Sequence, residues 1–207
     1  MIRKPVVIVS GVMLLLALPV LIMVLLSVTY DRSNPRDRPN SYYISNVVEI
    51  DRDEATVFQF IQYHLPDIYT ELTDMHTSFD ILNAAGLVAG AEIRCIEGDD
   101  NDVVHNHYIV TEVIENRLIQ FESKPTIVYN RNNDKEVAKM NVHVYFDIER
   151  AGTRKTQLKQ TIVIDMLNPL FKSVMDILAF ITSGREEWKK QFRDELVNFK
   201  PIIERET

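Results

Sequence analysis

The chain has 207 residues, which is enough for one ordinary domain with additional segments. Hydrophobic residues make up 46% of it, as in globular domains, and the formal net charge of −7 argues against a nucleic-acid-binding protein, because phosphate contacts need clustered Lys and Arg. Cys95 is the single cysteine, so no disulfide can form within the chain, and we expect its thiol to be buried as a small apolar group.

Residues 5–28 contain no charged side chain and consist mainly of Leu, Val, Ile and Met. At about 1.5 Å per residue, a helix of this length would measure roughly 36 Å, whereas the hydrocarbon core of a bilayer is about 30 Å thick. We therefore predict one transmembrane helix within an N-terminal anchor, residues 1–30. The alternative is a cleaved secretory signal, because Arg3 and Lys4 form a basic start. The apolar run is longer than in such signals, however, and no small-residue cleavage site follows it.

The charges beside this segment do not decide which side of the membrane the rest of the chain occupies. Arg3 and Lys4 precede it and three arginines within residues 31–40 follow it, so the two flanks nearly balance. We expect a single-pass membrane protein, with a slight preference for an exported domain. Residues 31–40 also contain two prolines and no apolar side chain, which predicts a short stiff linker before a folded domain over residues 41–207.

The folded domain is expected to begin with a strand and a helix. Residues 41–50 are rich in Tyr, Ile and Val, which is typical of a strand. Asp51 then predicts the N-cap of a helix, because Glu54 three residues later completes a capping-box pattern. Pro66 predicts the end of this helix, since proline removes a backbone N–H and clashes with the preceding turn. A short second helix or turn is expected over residues 67–73.

From residue 77 onward the hydrophobic period changes to two, which indicates strands. Six further strands are predicted, over residues 77–82, 91–97, 103–113, 118–129, 137–150 and 153–165. The short turns between them favour antiparallel pairing of neighbours. Asn168 and Pro169 then predict the cap and first position of a long helix that extends to about Glu204. Its apolar stripe needs a sheet to cover it, because no other segment is large enough.

The predicted order of elements resembles the SRPBCC superfamily, whose helix-grip fold is shared by START-like lipid-transfer domains, polyketide cyclase/dehydrase-like proteins and the birch-pollen-allergen group. The resemblance covers about residues 41–204. It depends on four loose patterns: Asp51-x-x-Glu54-x-x-Val57-Phe58, His107-Tyr108-x-Val110-x-Glu112, Tyr145-x-Asp147-Ile148 before Gly152-Thr153, and Trp188 through Leu196-x-x-Phe199-Lys200. It implies an α+β domain in which a curved seven-stranded antiparallel sheet grips the C-terminal helix around an apolar cavity.

The same resemblance implies no fixed catalytic set, and many members bind hydrophobic molecules without reacting them. We therefore expect non-catalytic binding of a lipid-like or other hydrophobic small molecule, supplied from the bilayer beside the anchor, with no metal or cofactor. The expected ligand-binding residues are Leu178, Ile181, Trp188 and Phe192 of the long helix, Tyr108 and Phe146 of the sheet, and Tyr69 and His76 as polar contacts. Residues 170–181 are apolar nearly all round, so this part of the helix is expected to be covered by neighbouring loops, or to contact ligand or bilayer.

Two other functions remain open. An enzyme resembling the polyketide cyclases would move a proton with His or Tyr groups that converge in the cavity. His105, His107 and His143 are the histidines that would have to face inward. An interaction domain that docks on another membrane protein would instead have a solid core and a stable partner.

His105, His107 and Glu112 imitate a metal-binding spacing. Residues two apart on a strand share a face, so both imidazoles could reach one ion. Strict alternation nevertheless places Glu112 on the opposite face, and we predict no metal site. The same alternation places His143 and Tyr145 on the outer surface of the sheet, because their neighbours on the strand are apolar and expected to face inward.

Overall fold

The computed structural model describes residues 31–167, residue 172 and residues 184–206, with side chains in the last range given for residues 190 and 192–205. The predicted transmembrane helix over residues 5–28 lies outside the described residues. The first half of the predicted C-terminal helix also lies outside them, apart from Lys172. Within the described ranges, no helix is long and apolar enough to cross a membrane.

The described residues form eight strands and two helices. In chain order these are β1 (Ser41–Ile50), α1 (Glu54–Leu72), β2 (His76–Ile81), β3 (Glu92–Gly98), β4 (Asp102–Ile114), β5 (Leu118–Ser123), β6 (Thr126–Asn130), β7 (Lys135–Arg150), β8 (Thr156–Met166) and α2 (Gly184–Glu206). All strand pairs are antiparallel, in the order β1-β8-β7-β5-β4-β3-β2, and β6 pairs with β4 and β7.

The sheet has eight strands where the sequence predicts seven. The predicted strand over residues 118–129 is divided into β5 and β6, because Pro125 lies between them and has no N–H to donate to the ladder. Both strands occupy the same place between β4 and β7, with β5 on residues 108–114 of β4 and β6 on residues 102–105. The number of positions across the sheet is therefore the predicted seven.

Both predicted ends of the first helix are wrong. The N-cap is Asp53 rather than Asp51, and its carboxylate accepts a hydrogen bond from the Thr56 N–H at 2.9 Å. The helix also continues through Pro66 to Leu72. Proline at position 66 leaves the carbonyl of Gln62 without its helical donor, and the N–H of Leu87 in the β2–β3 loop replaces that donor at 2.8 Å.

The hydrophobic core lies between the inner face of the sheet and the two helices. Fully buried side chains come from α1, from the sheet and from α2: Phe60, Ile61, Leu65, Leu72, Ile93, Ile119, Leu158, Leu196, Phe199 and Ile203. Phe146 of β7 meets Phe199 of α2 edge to face, with ring centroids 5.9 Å apart. The described part of α2 is thus gripped by the sheet through its apolar stripe.

The outer face of the sheet is covered at one place by the segment 31–40. The Arg36 guanidinium forms a two-pronged ion pair with Asp147 and lies over the ring of Tyr145, 4.1 Å from its centroid. Arg38 reaches Asp165 at 3.1 Å and His143 at 2.9 Å. His143 and Tyr145 face outward as predicted. They are nevertheless buried, because these two arginines lie on them.

Candidate functional site

Seven side chains with polar or titratable groups converge on the inner side of the sheet. We call them the interior polar cluster: Tyr69 of α1, His76 of β2, Cys95 and Glu97 of β3, Tyr108 of β4, Gln160 of β8 and Glu195 of α2. Their charges act on one another: those of Glu97, Cys95 and Glu195 all contribute to raising the pKa of Tyr108. Six secondary-structure elements from both ends of the domain therefore contribute to this cluster.

The geometry of His76 fixes its tautomer. Its ring stacks on the ring of Tyr69, with centroids 3.7 Å apart and planes within 3°. Nδ1 lies 2.8 Å from the backbone carbonyl of Tyr69, and a carbonyl can only accept, so Nδ1 carries the proton. Burial lowers the pKa of His76 and keeps the ring neutral. Its Nε2 lone pair faces Oε2 of Glu195 at 3.7 Å, beyond ordinary hydrogen-bond distance.

Glu195 is a carboxyl group inside the core. Its side chain is 9% exposed, and burial raises the pKa of Glu195 to about 8, with the charge of Glu97 acting in the same direction. The Nε2–H of Gln160 donates to Glu195 Oε1 at 2.9 Å, which opposes that rise only in part. At neutral pH the Glu195 carboxyl is mostly protonated.

Glu97 is the second carboxyl group of the cluster. It accepts hydrogen bonds from the hydroxyl of Tyr69 and from the thiol of Cys95, the latter with Sγ to Oε1 at 3.1 Å. Burial, and then the charge of Glu97, raise the pKa of both the Tyr69 hydroxyl and the Cys95 thiol. Cys95 is therefore buried as predicted, but as a protonated donor within a polar cluster rather than as an apolar filler.

Aromatic side chains border the cluster. Tyr69 lies 4.9 Å from Phe79, and Tyr108 lies 5.1 Å from Phe121, measured between ring centroids. Phe121 in turn contacts Phe146 at 6.1 Å, and the series continues to Phe199 of α2. Among the described residues the Tyr108 hydroxyl has no hydrogen bond, although the side chain is 5% exposed. The cluster thus combines unused hydrogen-bonding capacity with an apolar border.

Of the predicted ligand-binding residues, the structure brings Tyr69, His76 and Tyr108 together in this cluster. Phe146 lies in its aromatic border, and Phe192 is partly buried against the core. The remaining three, Leu178, Ile181 and the side chain of Trp188, lie outside the described residues.

Two aromatic residues of α1 that are close to Tyr69 in the sequence, Tyr63 and His64, do not belong to the cluster. Tyr63 is 48% exposed, and the exposed His64 lies 3.7 Å from Asp67. A surface groove of about 500 Å³ does lie nearby, where the end of α1 meets α2. It is lined by Glu71, Leu72, Thr73, Asp74, Lys190, Asp194 and Asn198. Carboxylates outnumber the single lysine in this lining.

The histidines singled out in the sequence lie on the other side of the sheet. His105 and His107 are exposed, and His107 pairs with Glu92 at 3.0 Å. The predicted opposite orientation of Glu112 is wrong: a bulge between Val110 and Glu112 breaks the alternation and returns Glu112 to the outer face. Even so, the described part of the chain contains no group of three or more His, Cys, Asp or Glu side chains that could hold a metal ion.

Sequence reasoning missed Glu97, Gln160 and Glu195, although their positions carried a signal. Glu195 is three residues after Phe192 and four before Phe199, on the apolar stripe of α2. Gln160 lies on the same face of β8 as the buried Leu158 and Ile162, because the three residues are two apart. Glu97 lies on the same face of β3 as Cys95 for the same reason. A carboxyl or amide group at a position where the period predicts burial is thus the sequence signature of this site.

Comparisons with known proteins identify the fold. The structure is similar to that of the KanY protein, with 12% identity, 79% of this chain and 98% of that chain covered, and a TM-score of 0.52. A protein from Arthrobacter aurescens is 12% identical, with 86% of this chain and 91% of that chain covered and a TM-score of 0.51. A protein from Deinococcus radiodurans is 13% identical, with 77% of this chain and 95% of that chain covered and a TM-score of 0.50. No protein-family model and no curated protein matches. The similarity supports the α+β helix-grip fold that the sequence resemblance implies.

Proposed function

We propose that this protein binds a lipid-like or other hydrophobic small molecule between the inner face of its sheet and α2, and that the interior polar cluster holds the polar end of that molecule. The observation that carries the proposal is the hydrogen-bonding capacity of Tyr108, His76 and Gln160 that no described residue fills, next to a border of aromatic side chains. Buried polar groups are normally satisfied, because each unpaired one costs about 1–3 kcal/mol. A bound molecule that completes these hydrogen bonds removes that cost.

The predicted transmembrane anchor fits this function. A helix over residues 5–28 would hold the domain beside the bilayer, where hydrophobic molecules are concentrated. The segment 31–40 connects this anchor to the domain, and its arginines attach it to β7 and β8. The ligand-binding domain would therefore stay close to the membrane surface, and the flanking charges slightly favour the exported side.

The direct test is native mass spectrometry of the full chain extracted in mild detergent. We expect the spectrum to show a retained small molecule. We also expect members of a lipid and sterol panel to bind more weakly to the Trp188→Ala and Tyr108→Phe variants than to wild type. Tyr63→Phe is the matched control for Tyr108→Phe, since it removes the same hydroxyl from an exposed position. No retained molecule, together with equal binding of the panel by all four proteins, would contradict the proposal.

A second candidate is an acid–base enzyme resembling the polyketide cyclases. His105, His107 and His143 do not favour it, because all three lie on the outer face. His76 and Glu195 do, because burial lowers the pKa of His76 and raises the pKa of Glu195, so that a neutral imidazole and a protonated carboxyl group face each other. Such a pair would exchange the hydrogens beside the carbonyl of 2-decanone with deuterium from solvent, measured by NMR. If wild type exchanged these hydrogens no faster than the Glu195→Gln variant, this activity would be excluded.

A further inference from the structure

One acceptor atom of the interior polar cluster lacks a donor among the described residues, and two further polar atoms of the cluster face each other without a hydrogen bond. The Oε1 atom of Gln160 is buried without a hydrogen-bond partner, in a side chain that is 4% exposed. The Nε2 lone pair of His76 faces Oε2 of Glu195 at 3.7 Å, which is too long for a hydrogen bond. Gln160 is itself bonded to the other oxygen of Glu195. A group that donates hydrogen bonds to Gln160 Oε1, to His76 Nε2 and to the ionised form of Glu195 would complete this arrangement.

The charge of the cluster favours the same kind of group. Glu97 and Glu195 both face it, and the only basic side chain in it is His76, which burial keeps neutral. Among the described residues, no Lys or Arg side chain forms an ion pair or hydrogen bond with either carboxyl group. Buried acidic groups without a cation are costly, and they are stabilised when a positive charge enters.

We propose that the polar end of the ligand is a protonated amine, seated between Glu195, Gln160 and His76. This inference rests on the proposed binding function. An ammonium group offers three N–H donors, one for each acceptor, and supplies the positive charge that the cluster lacks. Tyr69 and Tyr108 add aromatic rings beside the site, which further suit a cation. The groove where α1 meets α2 has Glu71, Asp74 and Asp194 in its lining and would attract such a ligand.

A neutral alcohol or a fatty acid matches this arrangement less well. An alcohol has one donor and leaves at least one of the buried acceptors unpaired. A carboxylate brings a second negative charge to the side of Glu195 and offers only acceptors. Ligands of equal chain length that differ in this end group therefore separate the three possibilities.

The experiment compares octylamine, octanol and octanoate by isothermal titration of the full chain in lipid nanodiscs, with empty nanodiscs as blanks. Wild type, Glu195→Gln and Glu149→Gln are measured between pH 6 and 9. Glu149 is an exposed carboxylate on β7, so its replacement controls for the loss of charge. We expect wild type and Glu149→Gln to bind octylamine at least tenfold more tightly than octanol at pH 8, and Glu195→Gln to lose this preference.

The pH dependence adds a second readout. An ammonium group pairs with ionised Glu195, so octylamine affinity should rise by up to about tenfold per pH unit from pH 6 and level off near pH 8, while octanol affinity stays constant. Tighter binding of octanol or octanoate than of octylamine would overturn the amine assignment and leave the binding function intact. Absence of binding by all three would contradict both. Octylamine binding that is unchanged in Glu195→Gln would place the amine elsewhere and overturn the assignment.

Discussion

Replacing Glu195 by Gln should change how the stability of the domain depends on pH. In the folded protein the pKa of Glu195 is raised from 4.5 to about 8, so between these pH values the folded chain holds a proton that the unfolded chain has lost. Unfolding then releases a proton, and the free energy of unfolding falls as pH rises, by at most about 1.4 kcal/mol per pH unit. Below pH 4.5 and above pH 8 this contribution is constant.

The magnitude follows from the two pKa values. Between pH 5 and pH 7 the contribution of Glu195 lowers the free energy of unfolding by about 2.5 kcal/mol. For a domain of this size, that corresponds to a fall in Tm of roughly 5–10 °C. Glutamine at position 195 still offers an oxygen that accepts from the Gln160 N–H, and it does not titrate. The free energy of unfolding of the variant should therefore lack this decrease with pH.

His76 contributes with the opposite sign. Burial lowers the pKa of His76 in the folded state, whereas the unfolded histidine takes up a proton below its usual value of 6.5. The free energy of unfolding therefore rises with pH through that region. Both proteins contain His76, so its contribution cancels in the difference between them.

The assay is thermal unfolding of the full chain in one detergent, followed by far-UV circular dichroism at pH 5, 6, 7 and 8. The Tm of Glu195→Gln minus that of wild type should increase by about 5–10 °C from pH 5 to pH 7. The matched variant Glu149→Gln should show a constant difference, because its carboxylate is exposed. A constant difference for Glu195→Gln as well would refute the reasoning, since Glu195 would then titrate as an exposed carboxyl group does.

Three further predictions concern the fold. Phe199→Ala should lower the free energy of unfolding by about 3–5 kcal/mol, because the ring is fully buried; a loss in chemical denaturation below about 1 kcal/mol would contradict its place in the core. Asp147→Asn should speed amide hydrogen exchange in residues 31–40 by about fivefold, because it weakens the ion pair that attaches this segment; unchanged exchange would show that other contacts hold it. A proline inside a helix usually costs roughly 3 kcal/mol, but Pro66→Ala should raise the free energy of unfolding by less than about 1 kcal/mol, because the Gln62 carbonyl already has a donor. An increase of about 3 kcal/mol in chemical denaturation would argue against that hydrogen bond.

The order of elements could be predicted because it depends on hydrophobic period. Strands over residues 103–113 and 137–150 alternate clearly, and they appear as β4 and β7 with ends shifted by one or two residues. The end of α1 could not be predicted, since the proline rule assumes that the Gln62 carbonyl finds no other donor. The donor comes from Leu87, which is distant in sequence. The orientation of Glu112 failed for a similar reason, because one bulge reverses the alternation.

Only part of the candidate site could be predicted from the sequence. Tyr69, His76 and Tyr108 were identified because the resemblance places a pocket beside them. Glu97 and Glu195 were not, because carboxyl groups are usually assigned to solvent, and their burial depends on how α2 lies across the sheet. The resemblance supplies that arrangement only in outline.

The most direct test of ligand binding between sheet and α2 is photo-crosslinking with a C12 amine that carries a diazirine near the end of its chain. The full chain in nanodiscs is irradiated, and the modified residues are identified by peptide mass spectrometry. We predict adducts on inner-face residues of β4 and β7, such as Tyr108 and Phe146, and on α2, all reduced by excess unlabelled dodecylamine. Adducts confined to residues 5–28 and to the outer face of the sheet would contradict the account.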